Sequence, residues 1–278
     1  MNTNILDEIA EKTRLRVEKA KKTFPLEEIK KAAFYLKGKG RGPSDWRSGA
    51  IESLPFEFAL KRPGLSFICE VKKASPSKGI IAENFPWLEI AKEYEAAGAD
   101  AISILTEPDY FLGADQYLRE IAAQVSIPTL RKDFTIDPYQ IYEAKYLGAN
   151  AVLLICALLS DENLKSYIAI AEELDLSALV EAHTEVEVEK AVNAGARIIG
   201  INNRNLKNFS VDIESGARLR EAIPEGIIAV SESGIQSSKD VRVLYDIGFD
   251  AVLIGESLMR SADKKQFLTE LKSHTEDL

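Results

Sequence analysis

Residues 148–201 read GANAVLLICALLSDENLKSYIAIAEELDLSALVEAHTEVEVEKAVNAGARIIGI, and their pattern extends over most of the chain. Three short apolar runs, Ala151–Ile155, Ala178–Glu181 and Ile198–Ile201, are separated by longer amphipathic stretches. Runs this dense in Ile, Val, Leu and Ala suit parallel strands covered on both faces, and the stretches between them suit helices. The alternation continues outward on both sides. Ser66–Val71, Ala101–Leu105 and Pro128–Arg131 come before; Ile227–Val230 and Ala251–Ile254 come after. Eight strand candidates, each followed by a helix candidate, predict an α/β chain folded as a (β/α)8 TIM barrel. The tripeptides Gly98-Ala99-Asp100, Gly148-Ala149-Asn150, Gly195-Ala196-Arg197 and Gly248-Phe249-Asp250 each end a helical stretch just before a strand. They recur at intervals of roughly 50 residues, two βα units, and glycine there suits a left-handed residue closing a helix.

The first 65 residues lack this alternation. Ile5, Ile9, Leu15 and Val17 among charged residues predict an amphipathic helix broken by Pro25. Leu26–Leu36 predicts a second helix, and Gly38, Gly40, Gly42 and Pro43 a loop. So small a segment has little core of its own. The expected organisation is one structural domain, a helical extension over 1–65 packed on a barrel over 66–278.

Composition narrows the function. With 46% hydrophobic and 28% charged residues the chain is globular, neither disordered nor collagen-like. A formal net charge of -9 repels nucleic acid and anionic lipid, so neither is an expected partner. An anionic ligand would need positive charge concentrated in a cleft. Cys69 and Cys156 lie in apolar runs and read as core thiols. Two histidines, His183 and His274, exclude a His-rich zinc site, and a Ser-His-Asp triad would rest on His183 alone. MNTNILDEIAEK has no secretory h-region, and Ala151–Leu159 is too short to span a bilayer, so a cytoplasmic location is expected.

Barrel enzymes react at the C-terminal ends of their strands. Here those ends read Glu70-Val71-Lys72, Arg131-Lys132-Asp133, Glu181-Ala182-His183, Asn202-Asn203-Arg204, Ser231-Glu232-Ser233-Gly234 and Gly255-Glu256-Ser257. One charge at a loop entrance is ordinarily a solvated cap. Two lysines and two glutamates converging on one rim suit general acid–base chemistry. Alternation puts Glu70 and Lys72 on one face of their strand and Cys69 and Val71 on the other. Ser233-Gly234 and Gly255-Glu256-Ser257 follow the last two strands, where this fold commonly holds phosphate. Glu256 fits beside an anion if its backbone N–H faces the phosphate and its side chain points outward. Ser75-Pro76-Ser77-Lys78-Gly79 offers further anion contacts, and Phe111 and Phe134 are candidates for either an aromatic pocket or the core.

Taken together, these segments resemble the indole-3-glycerol phosphate synthase family of tryptophan biosynthesis. Glu70-Val-Lys-Lys-Ala-Ser-Pro-Ser-Lys-Gly79 is the most specific. Leu130-Arg-Lys-Asp-Phe134, Val180-Glu-Ala-His183, Gly200-Ile-Asn-Asn-Arg-Asn-Leu206, Ser231-Glu-Ser-Gly-Ile235 and Ile254-Gly-Glu-Ser-Leu-Met-Arg260 follow in family order. The resemblance implies a lyase needing no cofactor or metal. Its substrate would be 1-(2-carboxyphenylamino)-1-deoxyribulose 5-phosphate, converted by ring closure, decarboxylation and dehydration. On the matching positions, Lys132 is the implied general acid for ring closure and Glu181 the acid–base residue for dehydration. Lys72 is implied to bind the anionic substrate, including its phosphate, and to donate a proton, with Glu70 and Asn202 completing the polar cluster. Ser75 and Arg204 would position substrate. Ser233, Gly234, Gly255 and Glu256 would hold the phosphate, and Phe111, Phe134, Leu153 and Leu206 the aromatic ring. A phosphorylated small molecule is thus the expected partner, and a monomer the expected state. Two other readings remain open: a Schiff-base lyase using Lys72 or Lys132, and a barrel that binds a phosphorylated metabolite without turnover.

Overall fold

The computed structural model describes residues 5–37, 54–204 and 213–273, the side chains of 213–215 excepted. The predicted glycine loop at Gly38–Pro43, His274 and Leu206 lie outside the described residues. Eight strands close into a parallel barrel. They are β1 (Ser66–Val71), β4 (Ala101–Leu105), β5 (Thr129–Lys132), β6 (Ala151–Ile155), β7 (Ser177–Ala182), β8 (Ile198–Asn202), β9 (Ile228–Glu232) and β10 (Ala251–Ile254). β1 pairs with both β4 and β10, which closes the ring. Each strand matches its predicted run to within two residues at either end.

The helices α4 (Trp87–Ala96), α5 (Asp115–Gln124), α6 (Pro138–Leu147), α7 (Asp161–Glu173), α8 (Glu185–Asn193), α9 (Ile213–Glu221) and α10 (Ser238–Ile247) alternate with the strands. The short α11 (Glu256–Arg260) and α12 (Lys264–Lys272) follow β10. Asp137 caps α6 by accepting the Tyr139 amide at 2.9 Å, and Ser237 and Asp240 form a capping box on α10. The repeated glycines 98, 148, 195 and 248 all adopt the left-handed conformation expected of them.

Strand alternation separates two cores. Outward residues such as Phe67, Cys69, Ile102 and Ile199 pack under the helices. Inward residues such as Ile68, Leu130, Leu179 and Val230 fill the barrel. A helix absent from the sequence reading, α3 (Pro55–Leu60), inserts Phe56 and Leu60 among the barrel-filling residues Ile68, Ala101, Ala151 and Ala251. This closes the N-terminal end of the barrel. A second unexpected feature is a small antiparallel hairpin of β2 (Ala74–Ser75) and β3 (Gly79–Ile80) just after β1.

The N-terminal segment forms α1 (Ile5–Thr23) and α2 (Leu26–Tyr35), as its periodicity predicts. The buried face of α1 carries Leu6, Ile9, Thr13 and Val17. Leu15 is a correction: it is 65% exposed, because the buried stripe runs through 6, 9, 13 and 17.

Candidate active site

At the C-terminal end of the barrel the inward positions become polar. Glu70, Lys132, Glu181, Asn202 and Glu232 stand above inward apolar residues of the same strands, and all five line one cavity of about 700 Å³. Register brings them together: Glu181 lies beside Gly200, and Asn202 beside Glu232.

Lys132 Nζ lies at the heart of this cluster. It donates to Glu232 Oε2 at 2.5 Å and to Glu181 Oε2 at 3.1 Å. Asn202 Nδ2 donates to the other oxygen of Glu181 at 3.3 Å. Burial opposes a charge on Lys132, but Glu232, Glu181 and Glu70 outweigh it and hold the ammonium well above the ordinary lysine range. Burial also opposes the charge on Glu181. There Lys132 and His183 prevail, so its carboxyl lies below the usual range. Glu232 goes the other way: burial, aided by Glu181 against the pull of Lys132, pushes it up to about 7. Two carboxylates share one ammonium, and Glu232 Oε1 is buried without a hydrogen-bond partner. Glu232 is therefore the carboxyl that takes up a proton first. Gly200 makes room for it, since a Cβ there would meet Glu232 Oε1 at 2.2 Å.

A second ammonium–carboxylate pair stands alongside. Lys72 Nζ donates to Glu70 Oε1 at 2.6 Å, and Ser103 Oγ donates to Glu70 Oε2 at 3.4 Å. Gly255 clears space for this pair, because a Cβ there would lie 2.4 Å from Glu70 Oε1 and 2.8 Å from Lys72 Nζ. Ser75 lines the same cavity, as do Phe111, Phe134, Leu153 and Arg204. The Phe111 and Phe134 ring centroids are 6.1 Å apart, so both candidates form cavity wall.

Ser233, Gly234, Gly255 and Glu256 line the side formed by the ends of β9 and β10. Ser233 and Gly234 are both left-handed (φ 68° and 92°). Asn203 Nδ2 secures this turn, donating to Ser231 Oγ and Ser233 O, each at 3.0 Å. The first N–H groups of α11 have no partners within their own helix. The Glu256 side chain does not simply point outward. It lies 3.2 Å from Arg260, 3.6 Å from Lys78 and 3.7 Å from Arg204, a carboxylate among three cations at the rim.

The N-terminal helix contributes to this end of the barrel. Ile5, Leu6 and Ile9 line the cavity. Arg16 Nη2 donates to Asp133 Oδ1 at 2.6 Å, one residue beyond Lys132. Asp133 also accepts from Thr106 Oγ1 at 2.7 Å and lies 3.7 Å from Arg131. Burial opposes its charge, yet Arg16 and Arg131 hold its carboxyl below the usual range. Lys21 to Asp137 (2.7 Å) and Tyr110 to Glu8 (2.6 Å) fasten α1 further.

Every described residue expected at the site is in this one cavity. Lys78, from the segment expected to offer anion contacts, lines it too; Glu232 and the α1 residues join them without a role assigned from sequence. The signal for Glu232 was present: it is the inward position after Val230, equivalent to Glu181 after Leu179.

Fold and site define a (β/α)8-barrel enzyme of the acid–base kind, with ammonium–carboxylate pairs on its reactive rim. Comparison with known proteins places it more narrowly. The family model described as indole-3-glycerol phosphate synthase matches residues 6–271. The indole-3-glycerol phosphate synthase of Ruminiclostridium cellulolyticum is 56% identical over 96% of this chain and 98% of its own length. That of Lacticaseibacillus casei is 50% identical over the same shares of the two chains. Among solved structures, 3-hexulose-6-phosphate synthase from Salmonella typhimurium superposes with a TM-score of 0.63 at 14% identity, covering 76% of this chain and 98% of that one. That likeness speaks for the barrel fold alone. The chain belongs to the indole-3-glycerol phosphate synthase family.

Proposed function

We propose that this cavity carries out the ring closure of 1-(2-carboxyphenylamino)-1-deoxyribulose 5-phosphate to indole-3-glycerol phosphate, CO2 and water, with the following division of labour. Lys132, kept protonated by its carboxylates, donates to the ketone oxygen as the aromatic carbon bonds to the carbonyl carbon. The carboxylate leaves as CO2 and its bonding electrons restore the aromatic ring. The new hydroxyl then departs as water with a proton from an ammonium, while Glu181 takes the proton lost from the neighbouring carbon. Lys72, paired with Glu70, attracts the anionic substrate and serves as the second proton donor. Asn202 orients Glu181. Phe111, Phe134 and Leu153 flank the ring, with Leu206 assigned there from the family motif. Ser233, Gly234, Gly255 and Glu256 offer backbone to the phosphate, with Lys72, Ser75 and Arg204 nearby.

The observation that carries this reading is the Lys132 ammonium held at 2.5 and 3.1 Å by two buried carboxylates in the cavity floor. Such a lysine is a proton donor. A Schiff-base nucleophile needs the free amine, so the Schiff-base reading is disfavoured. The test is to add the carboxyphenylamino substrate to the purified protein with chelator present and follow indole absorbance and fluorescence. A rising signal, lost in Lys132→Ala and Glu181→Gln, supports the reading. Binding without turnover would favour a metabolite-binding barrel instead.

The same reading treats residues 1–65 as an extension packed on the barrel of 66–278, and the working unit as a cytoplasmic monomer. No described helix is long and apolar enough to cross a membrane. Gel filtration with light scattering tests the monomer.

A further inference from the structure

His183 follows Glu181 by two residues and does not line the cavity. It is nevertheless placed against the reacting cluster from behind. Its Nε2 lies 3.4 Å from Glu181 Oε1, and its Nδ1 lies 3.5 Å from Glu187 Oε2 on α8. Its backbone N–H donates to that same Glu187 oxygen at 2.6 Å, which fixes Glu187 beside the ring. Nε2 is buried and has no hydrogen-bond partner, although the carboxylate it faces is in ion-pair range. An unsatisfied buried donor beside a carboxylate oxygen is a contact that a small rotation of Glu181 completes.

We propose that His183 is a positioning residue for Glu181: wedged between Glu181 and Glu187, it keeps the Glu181 carboxylate charged and aimed into the cavity. The surroundings agree. Glu181 on β7, Glu187 on α8 and Glu232 on β9 all act on the imidazole, and Lys132 on β5 faces the far side of Glu181. Cys156, beyond β6, contributes no charge, since burial pushes its thiol up to about 12. Burial opposes a charged imidazole, but the carboxylates prevail and raise it above its ordinary value. A cation at this position stabilises the anionic base before the substrate arrives. It also leaves the substrate's own contacts untouched.

The kinetic consequence rests on the role assigned to Glu181 above; the coupling itself does not. The chain has two histidines, so 15N-histidine NMR resolves His183 directly, with His183→Asn giving the assignment. His183 should titrate above pH 6.5, and its midpoint should fall in Glu181→Gln. Glu187→Gln keeps an acceptor for the His183 backbone N–H but removes the charge, and should lower the midpoint as well. A midpoint unmoved in Glu181→Gln overturns the proposal, whether or not any substrate is turned over. In the turnover assay His183→Asn should lower kcat about 10- to 100-fold, as expected for a misaligned base. KM should stay within about twofold, and the acid limb of kcat should move to higher pH as Glu181 loses its cation. A loss confined to KM, or an unshifted limb, overturns it. A wild-type protein that makes no indole refutes the assigned reaction, and the NMR titrations still decide the coupling.

Discussion

Gly200→Ala tests the cluster without touching any charged group. A Cβ at this position would lie 2.2 Å from Glu232 Oε1 and 3.2 Å from Leu179 Cδ1. The first contact is far inside van der Waals range, so one side must give way. The obstructing atom is the tip of a side chain, so the carboxylate retreats and the strand stays. A retreat of about 1 Å breaks the 2.5 Å contact with Lys132, and a misplacement of that size costs on the order of 100-fold in rate. Overpacking of this kind costs about 1–3 kcal/mol in stability, roughly 2–10 °C in Tm for a chain of this size. Two measurements separate these effects: steady-state indole formation, and thermal unfolding followed by circular dichroism. The expected variant is folded, somewhat less stable, reduced in kcat about 100-fold, and little changed in KM. A folded Gly200→Ala protein with wild-type kcat would refute the idea that the Glu232–Lys132 contact organises catalysis.

Lys132→Met should lower kcat by roughly 100- to 10,000-fold, the usual value of a lost proton donor, while calorimetry still detects substrate binding. Gly255→Ala should raise KM more than it lowers kcat, because its Cβ would displace Lys72, the cation assigned to substrate binding, from 2.8 Å. Arg16→Met leaves Asp133 its hydrogen bond from Thr106 but, among the described residues, only the cation Arg131, at 3.7 Å. It should cost about 2 kcal/mol by urea denaturation, less than the ~3–5 kcal/mol of a wholly unpaired buried charge. Because the Asp133 carboxyl is held low in the folded state, the stabilisation is present above its unfolded pKa and lost as pH falls below it. The wild type and Arg16→Met should therefore converge in Tm toward acid pH. Glu232 has the opposite sign. Its carboxyl is raised to about 7, so its contribution is full below the ordinary glutamate value and lost as pH rises through 7. Glu232→Gln should therefore gain stability relative to wild type between about pH 4.5 and 7.

The barrel was legible because its strands are apolar runs punctuated at a regular interval, a signal repeated often enough to outweigh local ambiguity. The helix α3 was not, since the six residues of PFEFAL are too few to show a helical period. The β2–β3 hairpin, with two residues in each strand, is shorter still. The facing of Leu15 was misjudged because Thr13 and Arg16 occupy the buried side of α1, one as a small residue and the other paired with Asp133. Most of the site could be read because strand ends must face one rim. Glu232 was passed over because its neighbours Ser233 and Gly234 suggested a phosphate turn, which hid its place in the inward alternation. The link from His183 to Glu187 spans four residues across the start of α8, a local contact that a reading confined to the strand ends passes over.

The clamp between α1 and the barrel also sets an order of events during synthesis. Arg16 lies 117 residues before Asp133, Lys21 lies 116 before Asp137, and Glu8 lies 102 before Tyr110. At about 5–20 residues per second, the nascent helix waits on the order of ten seconds for its docking partners to leave the ribosome. During that interval it must survive as a lone amphipathic segment. Its own Glu11–Arg14 and Glu18–Lys21 pairs, each joining residues three apart, stabilise the isolated helix by roughly 0.2–0.5 kcal/mol each. Docking of α1 thus marks the emergence of the first half of the barrel, and the cavity acquires its Ile5–Ile9 wall only after the strand bearing Lys132 has been made.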